Sequence, residues 1–142
     1  MRDIIFKGKR KDNGEWVEGY LLKVKIISPS SAKWVEKTLI LIQQDEVYEV
    51  IPETVGQYTG LTDKNGKKIW EGDIVRTLAP CCIDKYIAGV VMFGEYSSTY
   101  QSSNVGYYVD WSLNKNIAMY CKMGDIEVIG NVFDNPELIE VN

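Results

Sequence analysis

The chain has 142 residues and a mass of 16.2 kDa, and its 45% apolar and 25% charged side chains are those of an ordinary globular protein, which excludes the polar, highly charged regime of disordered chains. Sixteen basic against twenty acidic residues leave a net charge of −4, which disfavours indiscriminate capture of nucleic-acid phosphates. Histidine is absent altogether, so Ser-His-Asp and Cys-His catalysis within the chain is excluded, along with the commonest nitrogen ligand for zinc.

The length suits a single domain over residues 1–142, or two closely packed β subdomains divided near residues 60–72. Apolar runs such as Leu39 to Ile42 and Val90 to Phe93 are far shorter than the roughly 18 residues of a membrane-spanning helix, so no membrane partner is expected. The opening residues carry no apolar segment or small-residue cleavage site, so a cytoplasmic location is the expectation. Cys81, Cys82 and Cys121 make an odd set without framework spacing, which suits free thiols in a reducing compartment. Charge is uneven along the chain: residues 1–70 carry 12 basic and 10 acidic groups, residues 71–142 carry 4 and 10.

In chain order, Lys7, Lys9 and Lys11 alternate with Gly8 and Arg10, which places the three lysines on one face of an extended segment. Asp12-Asn13-Gly14 then predicts a hairpin with a two-residue turn, where Asn and Gly tolerate positive φ. Tyr20, Leu22, Val24 and Ile26 share one parity against Lys23 and Lys25, the pattern of a half-buried strand. Ser28-Pro29-Ser30-Ser31 reads as a loop, and Leu39-Ile40-Leu41-Ile42, apolar on both parities, fits a strand covered on both faces or a short buried helix, its brevity favouring the strand. After the strand Val47 to Ile51, Pro52-Glu53-Thr54 can open a single helical or 3₁₀ turn.

Further on, Gly56 and Gly60 bracket Gln57 and Tyr58 in a bent arch, Asn65-Gly66 reverses the chain, and Gly72-Asp73 kinks it into a strand at Ile74-Val75. Ile87 to Phe93, Val105 to Trp111 and Ile126 to Phe133 are further short β segments. No helical periodicity persists over three turns, so the fold class is mainly β: antiparallel hairpins forming a small barrel-like or sandwich domain with only short helical turns. Gly72-Asp73-Ile74-Val75 faintly echoes Gly124-Asp125-Ile126-Glu127-Val128, which reads more simply as two similar strand entries than as a duplication.

Several segments carry a resemblance. They are Phe6-Lys7-Gly8-Lys9-Arg10, Asn13-Gly14-Glu15-Trp16-Val17-Glu18-Gly19-Tyr20, and the long run from Ile51-Pro52-Glu53-Thr54-Val55-Gly56-Gln57-Tyr58-Thr59-Gly60-Leu61 to Gly72-Asp73-Ile74-Val75. Glu127-Val128-Ile129-Gly130-Asn131 and Asn135-Pro136-Glu137-Leu138 close the set. In order and spacing the chain resembles the YopX-like proteins of phages and prophages. That resemblance implies a compact, largely β phage-borne protein, and it supplies no activity, cofactor or catalytic residue to carry over.

No P-loop or dinucleotide-binding glycine motif is present, and adjacent Cys81 and Cys82 lack the two to four intervening residues usual between zinc ligands. No catalytic residue, metal or cofactor is expected. A non-enzymatic protein-interaction module is the leading expectation, acting on an unknown protein partner or as a homo-oligomer joined through edge strands. Its candidate surface is Gln57 and Tyr58 on the arch with Tyr96 and Tyr100 in a Tyr-Ser loop of adaptable composition. The alternative is a nucleic-acid-binding β-barrel whose patch is Lys7, Lys9, Arg10 and Lys11, although strand lysines more commonly protect an exposed edge. An enzyme using paired carboxylates is the third reading. Trp16, Trp34, Trp70 and Trp111 are expected to fill the core and sheet surfaces.

Overall fold

The computed structural model describes residues 3–78, 86–97, 103–111 and 126–139. The chain divides into two compact units, Met1–Tyr58 and Thr59–Asn142. Every strand pairing in both is antiparallel, and the helical content is two 3₁₀ turns, Pro52–Thr54 and Pro136–Leu138, among the described residues. The mainly β expectation therefore holds.

The first unit contains β1 (Phe6–Lys9), β2 (Trp16–Ile27), β3 (Trp34–Gln43), β4 (Glu46–Glu49) and the start of β5 (Gly56–Thr62), hydrogen-bonded in the order β4-β3-β2-β1-β5. β1 covers only the first part of β2, from Trp16 to Gly19, and β4 covers only the last part of β3, from Leu39 onward. The distal β2–β3 ribbon, paired from Lys23–Thr38 out to Ile27–Trp34, thus extends past both neighbours. Its inner end is packed: Ile40 and Val50 are fully buried, and a side chain on Gly19 would land on the Leu41 carbonyl. Glycine is required there because the backbones approach so closely.

The β1–β2 and β2–β3 loops share one hydrogen-bond pattern. Gly14 N–H donates to the Arg10 carbonyl and Arg10 N–H to that of Glu15; Ala32 N–H donates to Ser28 and Ser28 N–H to Lys33. Both reversals fall where the sequence placed them. They differ from a two-residue turn in needing one left-handed residue rather than two, filled by Gly14 at φ 72° in one loop and Ala32 at φ 56° in the other.

The second unit takes the end of β5, which pairs with β6 (Lys68–Trp70), and a four-stranded sheet in the order β10-β7-β8-β9, formed by β7 (Asp73–Leu78), β8 (Tyr86–Ser97), β9 (Ser103–Asp110) and β10 (Glu127–Asn131). Ile69, Val75, Val91 and Ile126 form its core, with Val109, Trp111 and Val128 packed against them. The loop at Asp63–Gly66 is a three-residue reversal in which Gly66 N–H donates to the Asp63 carbonyl and Asp63 N–H to Lys67, with Gly66 alone at positive φ. The arch expected around Gly56 and Gly60 is instead a continuous strand, β5, in which only Gly60 takes a positive φ of 86°. Register explains this: Lys7 pairs with Gly56 and Phe6 with Gln57, which holds the segment extended.

Candidate interaction surface

Register and strand alternation assign the side chains of the first sheet to two faces. Four rows run along one of them. Tyr20, Leu41 and Val47 stand abreast, then Leu22 and Leu39 beside Glu49, then Val24 beside Lys37, then Ile26 beside Val35. Apart from one cation and one anion, every residue of these rows is apolar. The face is open: Tyr20 is 61% and Val47 44% exposed, and Leu22, Ile26 and Val35 are also exposed.

The parity that reads as a buried stripe in the sequence is therefore the outward one. Burial belongs to the other face, where Ile40 and Thr38 lie, while its distal end carries Lys23, Lys25 and the directly paired Ile27 and Trp34. Within Leu39 to Ile42 only Ile40 is fully buried: Leu39 and Leu41, on the opposite parity, are half-buried, and Ile42, at the register shift beside β4, is exposed. Trp34, expected as packing, is 69% exposed near the ribbon tip, whereas Trp70 is buried and Trp16 and Trp111 are half-buried. Contiguous exposed apolar surface of this kind marks contact sites more often than chance does.

The charged pair on this face shares its anion with a third residue. Lys37 Nζ lies 3.5 Å from Glu49, which also receives Lys11 Nζ at 3.0 Å. The hydrogen bond from Lys11, helped by both lysine charges, holds the Glu49 carboxyl below its ordinary range despite partial burial.

The basic residues of the N-terminal strand are engaged locally. Arg10 forms an ion pair with Asp12 and stacks 3.9 Å over the Tyr48 ring, whose hydroxyl donates to Glu46 at 2.6 Å. The Asp12 hydrogen bond raises the Arg10 pKa and lowers that of Asp12. Lys7 and Lys9 sit 4.7 and 5.4 Å over Trp16, and Lys11 bonds Glu49. The structure brings these four cations near one strand but turns each toward a neighbour in its own unit.

Of the expected contact residues, Gln57 is half-buried in β5 and Tyr58 is only 9% exposed, so the Tyr58 ring is not displayed and that part of the expectation is corrected. Alternation along β5 puts Tyr58 on the face of buried Gly56, opposite to that of Gln57. Tyr96 lies in β8, and Tyr100 falls outside the described residues, as do Cys81, Cys82 and Cys121. Asn13, Gly14, Asn65 and Gly66 occupy the reversals, and Gly72 at φ 90° with buried Asp73 leads into β7. Asp73 accepts the Trp70 N–H at 2.8 Å, closing that turn.

The second unit holds one polar node of note. Asp63, 6% exposed, accepts the N–H groups of Asn65 and Lys67 on one oxygen and that of Val128 on the other, each at 2.9 Å. Burial pushes its pKa up, but these bonds together outweigh burial and leave it lowered. Beside it, Glu127 bonds Arg76 at 2.8 Å and lies 3.8 Å from Lys64, while Arg76 stacks 4.6 Å over Tyr86. This is structural pinning of a loop to a sheet. Among the described residues no group of three or more acidic or cysteine side chains converges as a metal site, and no helix is long and apolar enough to cross a membrane.

Known proteins bear on this architecture in two ways. The YopX protein family model matches residues 5–140, so the chain belongs to the YopX family. Among solved structures it is similar to the crystal structure of protein EF1440 from Enterococcus faecalis, with 22% identity, a TM-score of 0.52, and coverage of 99% of this chain and 100% of that one. That likeness supports the fold. No curated protein matches the chain.

Proposed function

We propose that this protein is a non-enzymatic phage or prophage accessory protein that acts by protein–protein contact through the outward face of its β2–β3 hairpin. The observation that carries the reading is the four-row apolar face, open from Tyr20 and Val47 to Ile26 and Val35. Aliphatic rows on three strands offer a partner desolvation energy without committing the chain to chemistry. The histidine-free sequence supports a non-catalytic role.

Nucleic acid is the weaker reading, because Arg10 and Lys11 are ion-paired and Lys7 and Lys9 lie on Trp16. A test compares affinity capture from prophage-carrying bacterial lysate by the wild type and by Leu22→Asp, each shown to be folded by circular dichroism. A protein, of this chain or another, retained by the wild type and lost by the variant supports the reading. Identical capture profiles would overturn it.

A further inference from the structure

We infer that the occupant of this face is a second copy of the same chain, packed sheet to sheet about a two-fold axis. The inference rests on the contact-module reading and specifies its partner.

The placement of Lys37 and Glu49 carries the argument. Lys37 stands on β3 in the row of Val24, and Glu49 stands on β4 one row nearer the base, beside Leu39 and Leu22. Consider a two-fold axis lying in the interface, across the strands and between those two rows. Rotation about it keeps β3 over β3 and β4 over β4 but exchanges the rows. Lys37 of each copy then lies over Leu39 of the other and one strand spacing, about 5 Å, to the side of that copy's Glu49. Within one chain the same two groups are offset by a strand spacing and a full row. The face is therefore complementary to itself in charge: each cation gains a second anion, and no like charges are set directly opposite.

Apolar complementarity follows from the same operation. The outer row of Ile26 and Val35 comes over the inner row of Tyr20, Leu41 and Val47, and the middle rows meet each other. Such a contact is isologous and closes on itself, so it yields a dimer rather than a filament. Aligned sheets pack about 10 Å apart with their strands rotated by about 30°, a geometry an open twisted ribbon can adopt.

The extent of the face sets the strength. Four rows, two of them three strands wide and two of them two strands wide, give a footprint on the order of 310 Å², about two fifths of the ~800 Å² per partner of a standard stable interface. A weak dimer with Kd in the micromolar range is what such a patch supports. A phosphate backbone is a poorer occupant, since the cation within these rows, Lys37, already faces Glu49.

Sedimentation velocity on the full chain from about 1 to 300 µM covers that range. The wild type is expected to pass from monomer to dimer, Leu22→Asp and Ile26→Asp each to remain monomeric, and their thermal unfolding to stay close to wild type. The decisive arm uses charge reversal. Lys37→Glu and Glu49→Lys each self-associate at least tenfold more weakly than the wild type, whereas an equimolar mixture forms a mixed dimer, because each copy then supplies the charge the other lacks. Native mass spectrometry resolves it.

A wild type that stays monomeric at the highest concentration, dimers indifferent to Leu22→Asp, or absence of the mixed dimer would overturn the inference. Duplex DNA that binds the wild type but not Leu22→Asp, with no protein dimer formed, would also overturn it. A monomeric wild type that still captures another protein, lost in Leu22→Asp, removes the self-partner but leaves the contact-module reading standing. Failure of both experiments removes both.

Discussion

The two units put their aliphatic side chains to opposite uses. In the second, Ile69, Val75, Val91 and Ile126 are sealed against Val109, Trp111 and Val128. In the first, side chains of the same types line the outward face of a ribbon that outruns its neighbouring strands, and few are fully buried there beyond Ile40 and Val50. Composition does not separate the two cases. What separates them is whether a second layer of the same unit lies over the apolar face, and a two-stranded ribbon standing beyond its sheet has little of its own to supply one.

The largest test of this contrast pairs one residue from each unit. Ile69→Ala is expected to cost about 3 kcal/mol in urea denaturation, from lost transfer energy and the cavity left behind, while Ile26→Ala changes stability by no more than about 0.5 kcal/mol. Equal losses would mean that the hairpin face is as deeply packed as the core.

Asp63→Asn comes next, with an expected loss of about 2 kcal/mol at neutral pH, since an amide offers one acceptor oxygen to three N–H groups now shared between two. The sign with pH is set by the lowered folded-state pKa. The unfolded chain binds the proton more readily, so the stabilisation is present above the ordinary aspartate pKa and disappears as pH falls through the folded value. In the Asn variant this part of the acid slope should vanish from pH-dependent urea midpoints.

The matched loops sharpen the comparison at a smaller scale. Ala32→Gly should stabilise the first unit by about 1 kcal/mol and Gly14→Ala should destabilise it by about as much, because one hydrogen-bond pattern places both residues in the left-handed region. Thermal unfolding would check both. A destabilising Ala32→Gly or a stabilising Gly14→Ala would show that the two loops are not equivalent.

Smallest is Glu71→Gln. Burial alone raises the Glu71 pKa. The folded chain then holds the proton more tightly, so wild-type stability is lost as pH rises from the ordinary glutamate value through the raised one. The glutamine variant should lack that decline in melting temperature measured from about pH 4 to 7.

Strand positions were legible because alternation and turn residues are local. Asn13-Gly14, Ser28 to Ser31 and Asn65-Gly66 all lie in reversals, and Pro52 opens a 3₁₀ turn. Turn types were less legible, since Asn-Gly suits several geometries and the flanking register chooses among them. Gly56 illustrates the same limit: it suggested a bend, but pairing with Lys7 makes it part of a strand. The apolar rows had a signal that could have been found, as Val35, Leu39 and Leu41 repeat on β3 the parity of Tyr20 to Ile26 on β2. Which side of the sheet that parity faces had none.

By itself, then, the sequence determined an antiparallel β chain without imidazole chemistry, where it reverses, and which side chains share a face. These follow from backbone sterics and a two-residue period, both set by near neighbours. Only the tertiary structure decided which face is inside, that Tyr58 turns inward while Tyr20 and Trp34 turn out, and that Lys37 stands beside Glu49. Burial depends on what other segments lie opposite, and a residue's own neighbours along the chain carry no record of that.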